Sequence, residues 1–229
     1  MLQNTLLLFQ TAEGLERQEE TENLFSILAD SGILAIVIYI ILFILFVVSV
    51  YIFFERYGAI KRAGKVDDSF MNNIRANVQS GNIQGAKALC QTTDSPVARM
   101  VEKGIQRIGK PLRDIDAAIE NVGNLEIFKL EKSLSTLASI AGAAPMIGFF
   151  GTVTGMIAAF YNMSTQQNVT PSVLAGGIYT ALLTTAMGLA IGIIAFIGYN
   201  VLVANVEKVV FKMERGTTEF MDLLQEPTA

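Results

Sequence analysis

Two long stretches of the chain contain no charged residue, and they dominate its hydrophobic pattern. The first covers residues 31–54, which number 24. As a helix it would be about 36 Å long, enough to cross a hydrocarbon core of about 30 Å. The second covers residues 133–206, which number 74, and it is long enough for two helices joined by a turn. The pattern therefore predicts three transmembrane helices.

A polar but uncharged segment divides the longer stretch. Residues 162–171 are rich in Asn, Gln, Ser and Thr and end in Pro171, which suits the first position of a helix. We therefore predict the second span over residues 133–161 and the third over residues 172–205. With no strand pattern elsewhere, the predicted fold is an all-α, polytopic membrane protein.

The segment between the first two spans, residues 55–132, reads as several helices separated by turns. Apolar residues recur at helical spacing, Gly81 suits a helix end, and Asn82 and the Ser95-Pro96 pair suit helix starts. After Leu112 no proline or turn sequence that would end a helix occurs until Pro145. We therefore predict a single helix that begins outside the membrane and continues into the second span.

The basic residues near the span ends predict the orientation. Residues 1–30 contain six acidic residues and one basic residue. The first and third spans are followed by clusters of basic residues: Arg56, Lys61, Arg62, Lys65, Lys208, Lys212 and Arg215. Because such residues collect on the cytoplasmic side, we predict a periplasmic segment 1–30, a cytoplasmic helical region 55–132, a periplasmic turn 162–171 and a cytoplasmic helix and tail 206–229.

The three predicted spans differ in character. The first is bulky and apolar on every side, which suits a helix in contact with lipid. The longer stretch contains nine glycines, and small residues let helices approach closely in lipid. We predict two inner helices that pack within an oligomer. The candidate packing and interface residues are Gly148, Gly151, Gly155, Gly176, Gly188 and Gly192.

Threonines accompany these glycines. Thr152 and Thr154 lie between Gly151 and Gly155, and in the third span small residues recur every four positions from Gly176. Each threonine could bond the carbonyl four residues earlier in its own helix, which is common in membrane helices. Alternatively, the hydroxyls could line a pore. The residues alone leave both interpretations open.

Composition disfavours several classes of function. The chain has no histidine and one cysteine, Cys90, which cannot form an intrachain disulfide and is expected to be a packed thiol. No carboxylate lies in a predicted span, so an intramembrane enzyme, a metal site and a bound cofactor are not expected. The net charge of -4 gives no support to a nucleic-acid partner.

Two segments of the inner helices resemble a known family. The sequences GFFGTVTG, at 148–155, and GIYTALLTTAMG, at 177–188, resemble the second- and third-helix signatures of the MotA/TolQ/ExbB proton-channel family. The three-span pattern is closer to its ExbB/TolQ branch than to the four-span flagellar branch. The resemblance implies a pentamer around the single-span helices of an ExbD/TolR-type partner dimer. It also implies proton-driven work on the outer membrane through a TonB-like or TolA-like protein.

The resemblance also implies roles for individual threonines. Thr152 and Thr185 match the lumen-facing threonines of the second and third helices, and Thr184 is a further candidate for the ion pathway. Thr180 lies where several members carry a glutamate, so this chain has no titratable acid or base in its inner spans. A proton path through the membrane needs a titratable side chain or a hydrated chain of hydroxyl groups. The resemblance implies that the titratable side chain is an aspartate of the partner helix.

One alternative function remains open at this stage. A membrane scaffold that positions a single-span partner without conducting ions would use the same glycines, with the threonines as packing groups. The residues also leave open whether protons or sodium ions drive the complex. They do not distinguish outer-membrane transport from outer-membrane maintenance.

Overall fold

The structure is a computed structural model that describes residues 33–65, 68–165 and 171–225. Within these ranges the only regular secondary structure is helical, which confirms the predicted all-α class. The helices are, in chain order, Ile33–Ala63 (α1), Asp68–Gln79 (α2), Ile83–Thr92 (α3), Pro96–Ile105 (α4), Leu112–Glu131 (α5), Leu134–Thr165 (α6) and Pro171–Gln225 (α7).

The described residues confirm the predicted number of spans. Three helical stretches are long and apolar enough to cross a bilayer, over Ile33–Ala63, Leu112–Thr165 and Leu174–Gln225. Both α1 and α7 continue well past their apolar parts, and α6 includes the first four residues of the predicted turn. The predicted segment 1–30, the turn residues 166–170 and the last four residues lie outside the described ranges.

The short helices begin and end where the turn chemistry predicts. The Asn82 side chain accepts a hydrogen bond from the Gly85 amide at 3.0 Å, and Ser95 accepts one from the Ala98 amide at 3.1 Å. Gly81 has a φ of +74°, a conformation that other residues rarely adopt. These local signals place the starts of α3 and α4 because each one satisfies an amide that the helix itself leaves unpaired.

The predicted continuous helix from Leu112 into the second span is wrong. It is interrupted between α5 and α6, where Lys132 has an extended ψ of 133° and Ser133 has a φ of +65°. Ser133 is the one non-glycine residue with a positive φ in the described part of the chain. Because neither Gly nor Pro marks this position, the sequence pattern contains no signal for the interruption.

The chain divides into two compact units, of which the first contains residues 33–44 and Ala144–Ala190. In this unit the start of α1 buries one face, with Tyr39 at 4% exposure and Leu42 at 0%. The Tyr39 hydroxyl donates a hydrogen bond to the backbone carbonyl of Thr180 at 3.3 Å. The first span is therefore not lipid-facing on every side, because this face packs within the unit.

The second unit contains Leu45–Ala143 and residues 191–225 of the described chain. Helices α2 to α5 pack in sequence, each on the next. The end of α7 joins them through Phe220, which is fully buried and contacts Gly104 of α4. Cys90 of α3 is buried as expected, and burial, together with the nearby charge of Glu102, raises the pKa of its thiol to about 12. At neutral pH the thiol is therefore protonated and a weak nucleophile.

A buried carboxylate links α4 and α5. Glu126 is 3% exposed and accepts hydrogen bonds from Arg99 at 2.7 Å and from Lys129 at 2.6 Å. Arg99 also donates to Asp94 at 2.7 Å. Burial acts to raise the pKa of Glu126, but the hydrogen bonds and charges of Arg99 and Lys129 outweigh it and lower that pKa. The ionised form is thus favoured by folding.

We predict that Glu126→Gln lowers the stability of the second unit at pH 7 by about 1–3 kcal/mol, the usual range for hydrogen bonds to a charged group. A lowered pKa contributes stability above the unfolded-state pKa, and this contribution is lost as pH falls through the folded-state pKa. The difference from wild type should therefore shrink below about pH 4. Thermal unfolding in detergent at pH 7 and at about pH 3 measures this change. The control is Glu120→Gln, an exposed position on the same helix; equal losses in both variants would contradict the prediction.

Candidate functional site

Helices α6 and α7 approach within backbone contact in the first unit. A methyl group added to Gly188 would lie 2.6 Å from the carbonyl oxygen of Ala144 and 2.9 Å from the Cα of Gly148. A methyl on Gly148 would lie 2.7 Å from the carbonyl oxygen of Thr184. Because Cβ atoms do not occur so close to backbone atoms, only glycine fits at either position.

The other predicted packing glycines divide into three groups. Gly151 faces the Thr184 side chain and Gly155 faces Ala181, so both continue the same contact. A methyl group added to Gly176 would meet no atom within 4 Å, and this glycine is exposed in the isolated chain. Gly192 is buried and belongs to the second unit. The structure thus brings four of the six glycines together at the contact of α6 and α7, while a methyl on Gly176 would meet no neighbour there.

The two threonines that match the family lie against each other across this contact. The Thr152 hydroxyl lies 2.8 Å from the Ala181 carbonyl oxygen, and the Thr185 hydroxyl lies 3.1 Å from the Gly148 carbonyl oxygen. The two hydroxyls also form a hydrogen bond with each other. Both side chains are half-buried. The cluster is therefore a pair of hydroxyls with one backbone carbonyl at each end.

The pair can form a hydrogen-bonded chain in either of two directions. Each hydroxyl supplies one proton, while the geometry offers three contacts. In one arrangement Thr185 donates to Thr152, which donates to the Ala181 carbonyl. In the other, Thr152 donates to Thr185, which donates to the Gly148 carbonyl. Rotation of two hydroxyl groups converts one into the other, so the direction of the chain is reversible without movement of the backbone.

The neighbouring threonines are placed differently. Thr184 is 1% exposed, and its hydroxyl lies 2.6 Å from the Ala181 carbonyl and 3.2 Å from that of Gly148, so it holds the two helices together. Thr154 bonds the carbonyl of Phe150 in its own helix at 3.0 Å. Both kinds of hydrogen bond therefore occur, the own-helix bond at Thr154 and the inter-helix bond at Thr152. Thr180 is half-buried and its carbonyl accepts the Tyr39 hydrogen bond.

Sequence reasoning missed two parts of this site. Tyr39 was not a candidate, although it is one of only four hydroxyl-bearing residues in the stretch 31–54, which is a signal that could have drawn attention to it. The carbonyls of Gly148 and Ala181 carry no sequence signal, because every residue has one. Within the described ranges, no group of three or more His, Cys, Asp or Glu residues could hold a metal ion. The site offers hydroxyl and carbonyl oxygens and no formal charge.

These features define a helical membrane protein with an uncharged hydroxyl cluster between two closely packed spans. The pattern of the MotA/TolQ/ExbB proton channel family matches residues 92–215, which is more than half of the chain and includes the whole cluster. The chain belongs to this family.

Individual relatives agree with the ExbB/TolQ branch. The Tol-Pal system protein TolQ of Pseudomonas aeruginosa is 28% identical over 213 residues, covering 88% of this chain and 92% of its own length. TolQ of Haemophilus influenzae is 38% identical over 101 residues, 44% of each chain. The biopolymer transport protein ExbB of Pseudomonas putida is 38% identical over 77 residues, 34% of this chain and 23% of its own. Together with the three apolar helices, these bacterial relatives indicate a multi-pass inner-membrane protein.

Proposed function

We propose that the chain is an ion-channel and stator subunit of the bacterial inner membrane. With an ExbD/TolR-like single-span partner, it converts the proton motive force into mechanical work. That work serves TonB-dependent outer-membrane transport or the maintenance of the outer membrane, through a TonB-like or TolA-like protein. The proposal includes a periplasmic N-terminus and a cytoplasmic C-terminus, as the basic residues predict.

The observation that carries the proposal is the hydrogen-bonded pair of Thr152 and Thr185. Both hydroxyls are half-buried and could also hydrogen-bond water, and the reversible direction of their bond would let a chain of water molecules that includes them pass a proton along. They lie within residues 133–206, which contain no charged side chain. A hydroxyl does not hold a charge near neutral pH, so the pair can relay a proton but cannot store one.

The titratable side chain that holds the proton must therefore come from another chain. An aspartate on the partner's membrane helix meets this requirement, and each proton that falls through ~100 mV supplies about 2.3 kcal/mol for motion of that helix. We propose a pentamer of this subunit around a partner dimer. Thr152 and Thr185 supply the polar face of the inner wall, while participation of Thr180 and Thr184 in the path stays a prediction. The burial of Thr184 favours a packing role for it.

A non-conducting scaffold is the second candidate, and one observation favours it. Thr152, Thr184 and Thr185 all have hydrogen-bond partners within the chain, as packing groups would. In this alternative the subunit positions the partner helix, and the hydroxyls only join α6 to α7. Ion flux distinguishes the two functions because a scaffold supports assembly without it.

The test is proton flux into liposomes that contain the chain with its partner, driven by a potassium diffusion potential and read by an internal pH dye. We expect flux with the partner present. Flux should fall to the level of empty liposomes for the chain alone and for the complex with the partner's membrane Asp changed to Asn. Replacing sodium by choline distinguishes the two ions. An assembled complex that conducts neither ion would overturn the proposal in favour of the scaffold.

A further inference from the structure

The hydroxyl of Tyr39 joins α1 to α7 within two turns of the hydroxyl pair. The Tyr39 side chain is buried, and its hydroxyl donates a hydrogen bond to the backbone carbonyl of Thr180 at 3.3 Å. Thr180 precedes Thr185 by five residues on α7. The segment of α7 that carries Thr185 is therefore hydrogen-bonded by a side chain of α1 as well as by side chains of α6.

Two successive carbonyls of α7 meet hydroxyls from two different helices. The Thr180 carbonyl accepts the hydrogen bond of Tyr39, and the Ala181 carbonyl oxygen lies 2.8 Å from the hydroxyl of Thr152 on α6. Successive residues of a helix are about 100° apart around its axis. The two contacts therefore hold α7 from two directions, and a rotation of α7 about its axis would lengthen them.

The hydroxyl pair is sensitive to such a rotation. At Gly148 and Gly188 the two backbones touch without a side chain between them, so no side-chain ridges interlock there to resist turning. A hydroxyl about 5 Å from the helix axis moves by about 1.7 Å when the helix turns by about 20°. Hydrogen bonds between hydroxyls span a range of only about 0.5 Å. A small rotation of α7 would therefore separate Thr185 from Thr152.

We propose that Tyr39 is a positioning residue for the hydroxyl pair. Its hydrogen bond to the Thr180 carbonyl keeps α7 at the rotation at which Thr185 meets Thr152. The inference rests on the proposed function, because it assigns to Tyr39 the alignment of the two hydroxyls on which proton transfer depends there. Tyr39 acts through α7, and the bond uses the backbone of Thr180, so it does not depend on which side chain stands at that position.

Tyr39→Phe tests this role because it retains the buried ring and removes only the hydroxyl. In liposomes that contain the chain with its partner, proton flux should fall by about 2- to 10-fold, the factor that the loss of one hydrogen bond produces in a rate. The matched control is Tyr51→Phe on the same helix. Tyr51 is 68% exposed, so this change should leave flux as it is. Unchanged flux in Tyr39→Phe, with the complex assembled, would overturn the inference.

A double-mutant comparison separates positioning from a general loss of stability. In Thr152→Val the hydroxyl pair is already broken, so the alignment of α7 has nothing left to act on. Adding Tyr39→Phe to Thr152→Val should therefore lower flux much less than Tyr39→Phe lowers it in the parent chain, as residues that act through one contact are not additive. Equal fold losses in the two backgrounds would show that Tyr39 acts independently of the pair and would overturn the inference.

A disulfide between α6 and α7 supplies a measurement that does not depend on flux. A methyl on Gly177 would lie 3.0 Å from the Cβ of Ala159, close to the separation of about 3.5–4.5 Å between the Cβ atoms of a disulfide. In the full complex with Ala159→Cys and Gly177→Cys, mild oxidation should link the two cysteines several-fold more slowly when Tyr39→Phe is added, because α7 then turns more freely. Cys90 is buried, and the chain without the two new cysteines is the control.

The same disulfide tests rescue. Once formed, it holds α7 against α6, so it should restore most of the flux in Tyr39→Phe, and reduction should abolish the recovery. Equal oxidation rates with and without the Tyr39 hydroxyl would overturn the inference even if flux falls. A parent complex that conducts no ions would refute the proposed function alone, and the oxidation rates would then decide whether Tyr39 positions α7.

Discussion

Changing Thr152 and Thr185 together to valine is expected to lower proton flux through the reconstituted complex by roughly 5- to 30-fold. Valine has nearly the shape of threonine but neither donates nor accepts a hydrogen bond. The change removes the hydroxyl pair and its reversible hydrogen-bond chain. Losing these two hydrogen-bonding groups raises the barrier to proton transfer by about 1–2 kcal/mol, and about 1.4 kcal/mol corresponds to a factor of ten in rate.

Two controls separate the relay from helix packing. Thr154→Val removes a hydroxyl from the same helix whose hydrogen bonds stay within that helix, and it should leave flux nearly unchanged. Changing Thr152 and Thr185 to serine retains both hydroxyls and should restore most of the flux. The same pH-dye assay in liposomes measures all three variants. Unchanged flux in the double valine variant, with the complex assembled, would refute the assignment of these two residues.

Gly188→Ala is expected to destabilise the contact between α6 and α7 by about 1–3 kcal/mol, the usual cost of overpacking a tight interface. The new methyl would lie 2.6 Å from a backbone carbonyl of α6, which cannot rotate away as a side chain can. For a chain of this length the midpoint of thermal unfolding in detergent should fall by roughly 2–10 °C. The loss should occur although alanine favours a helix over glycine by about 1 kcal/mol.

The chain offers matched controls for this change. Gly176→Ala on α7 and Gly142→Ala on α6 add the same methyl where no atom lies within 4 Å. Both should be neutral or slightly stabilising, because only the helix preference of alanine acts there. Equal midpoints for Gly188→Ala and these two controls would show that the two helix backbones do not touch at Gly188.

Local signals made much of the fold predictable. The side chains of Asn82 and Ser95 cap helices because an unpaired amide at a helix start needs an acceptor, and the positive φ of Gly81 follows from its missing Cβ. The spans follow from the absence of charge, since a charged group in hydrocarbon is costly. These effects act between near neighbours or on whole segments, so the linear sequence contains them.

Contacts between distant residues were not predictable in the same way. The interruption at Ser133 has no Gly or Pro to announce it. The inward face of Tyr39 depends on where α7 passes, and the buried pairing of Glu126 with Arg99 joins residues 27 apart in the chain. Each of these depends on packing between helices, which a single-sequence pattern does not encode.

The sequence by itself determined the three apolar helices and the chargeless inner stretch, because both follow from which residue types are present or absent. The tertiary structure decided which hydroxyls act together. Thr152 and Thr185 meet across two helices, Thr184 is sealed between them, and Thr154 bonds its own helix. The reason is the close approach at Gly148 and Gly188, which brings hydroxyls 33 residues apart into hydrogen-bond contact.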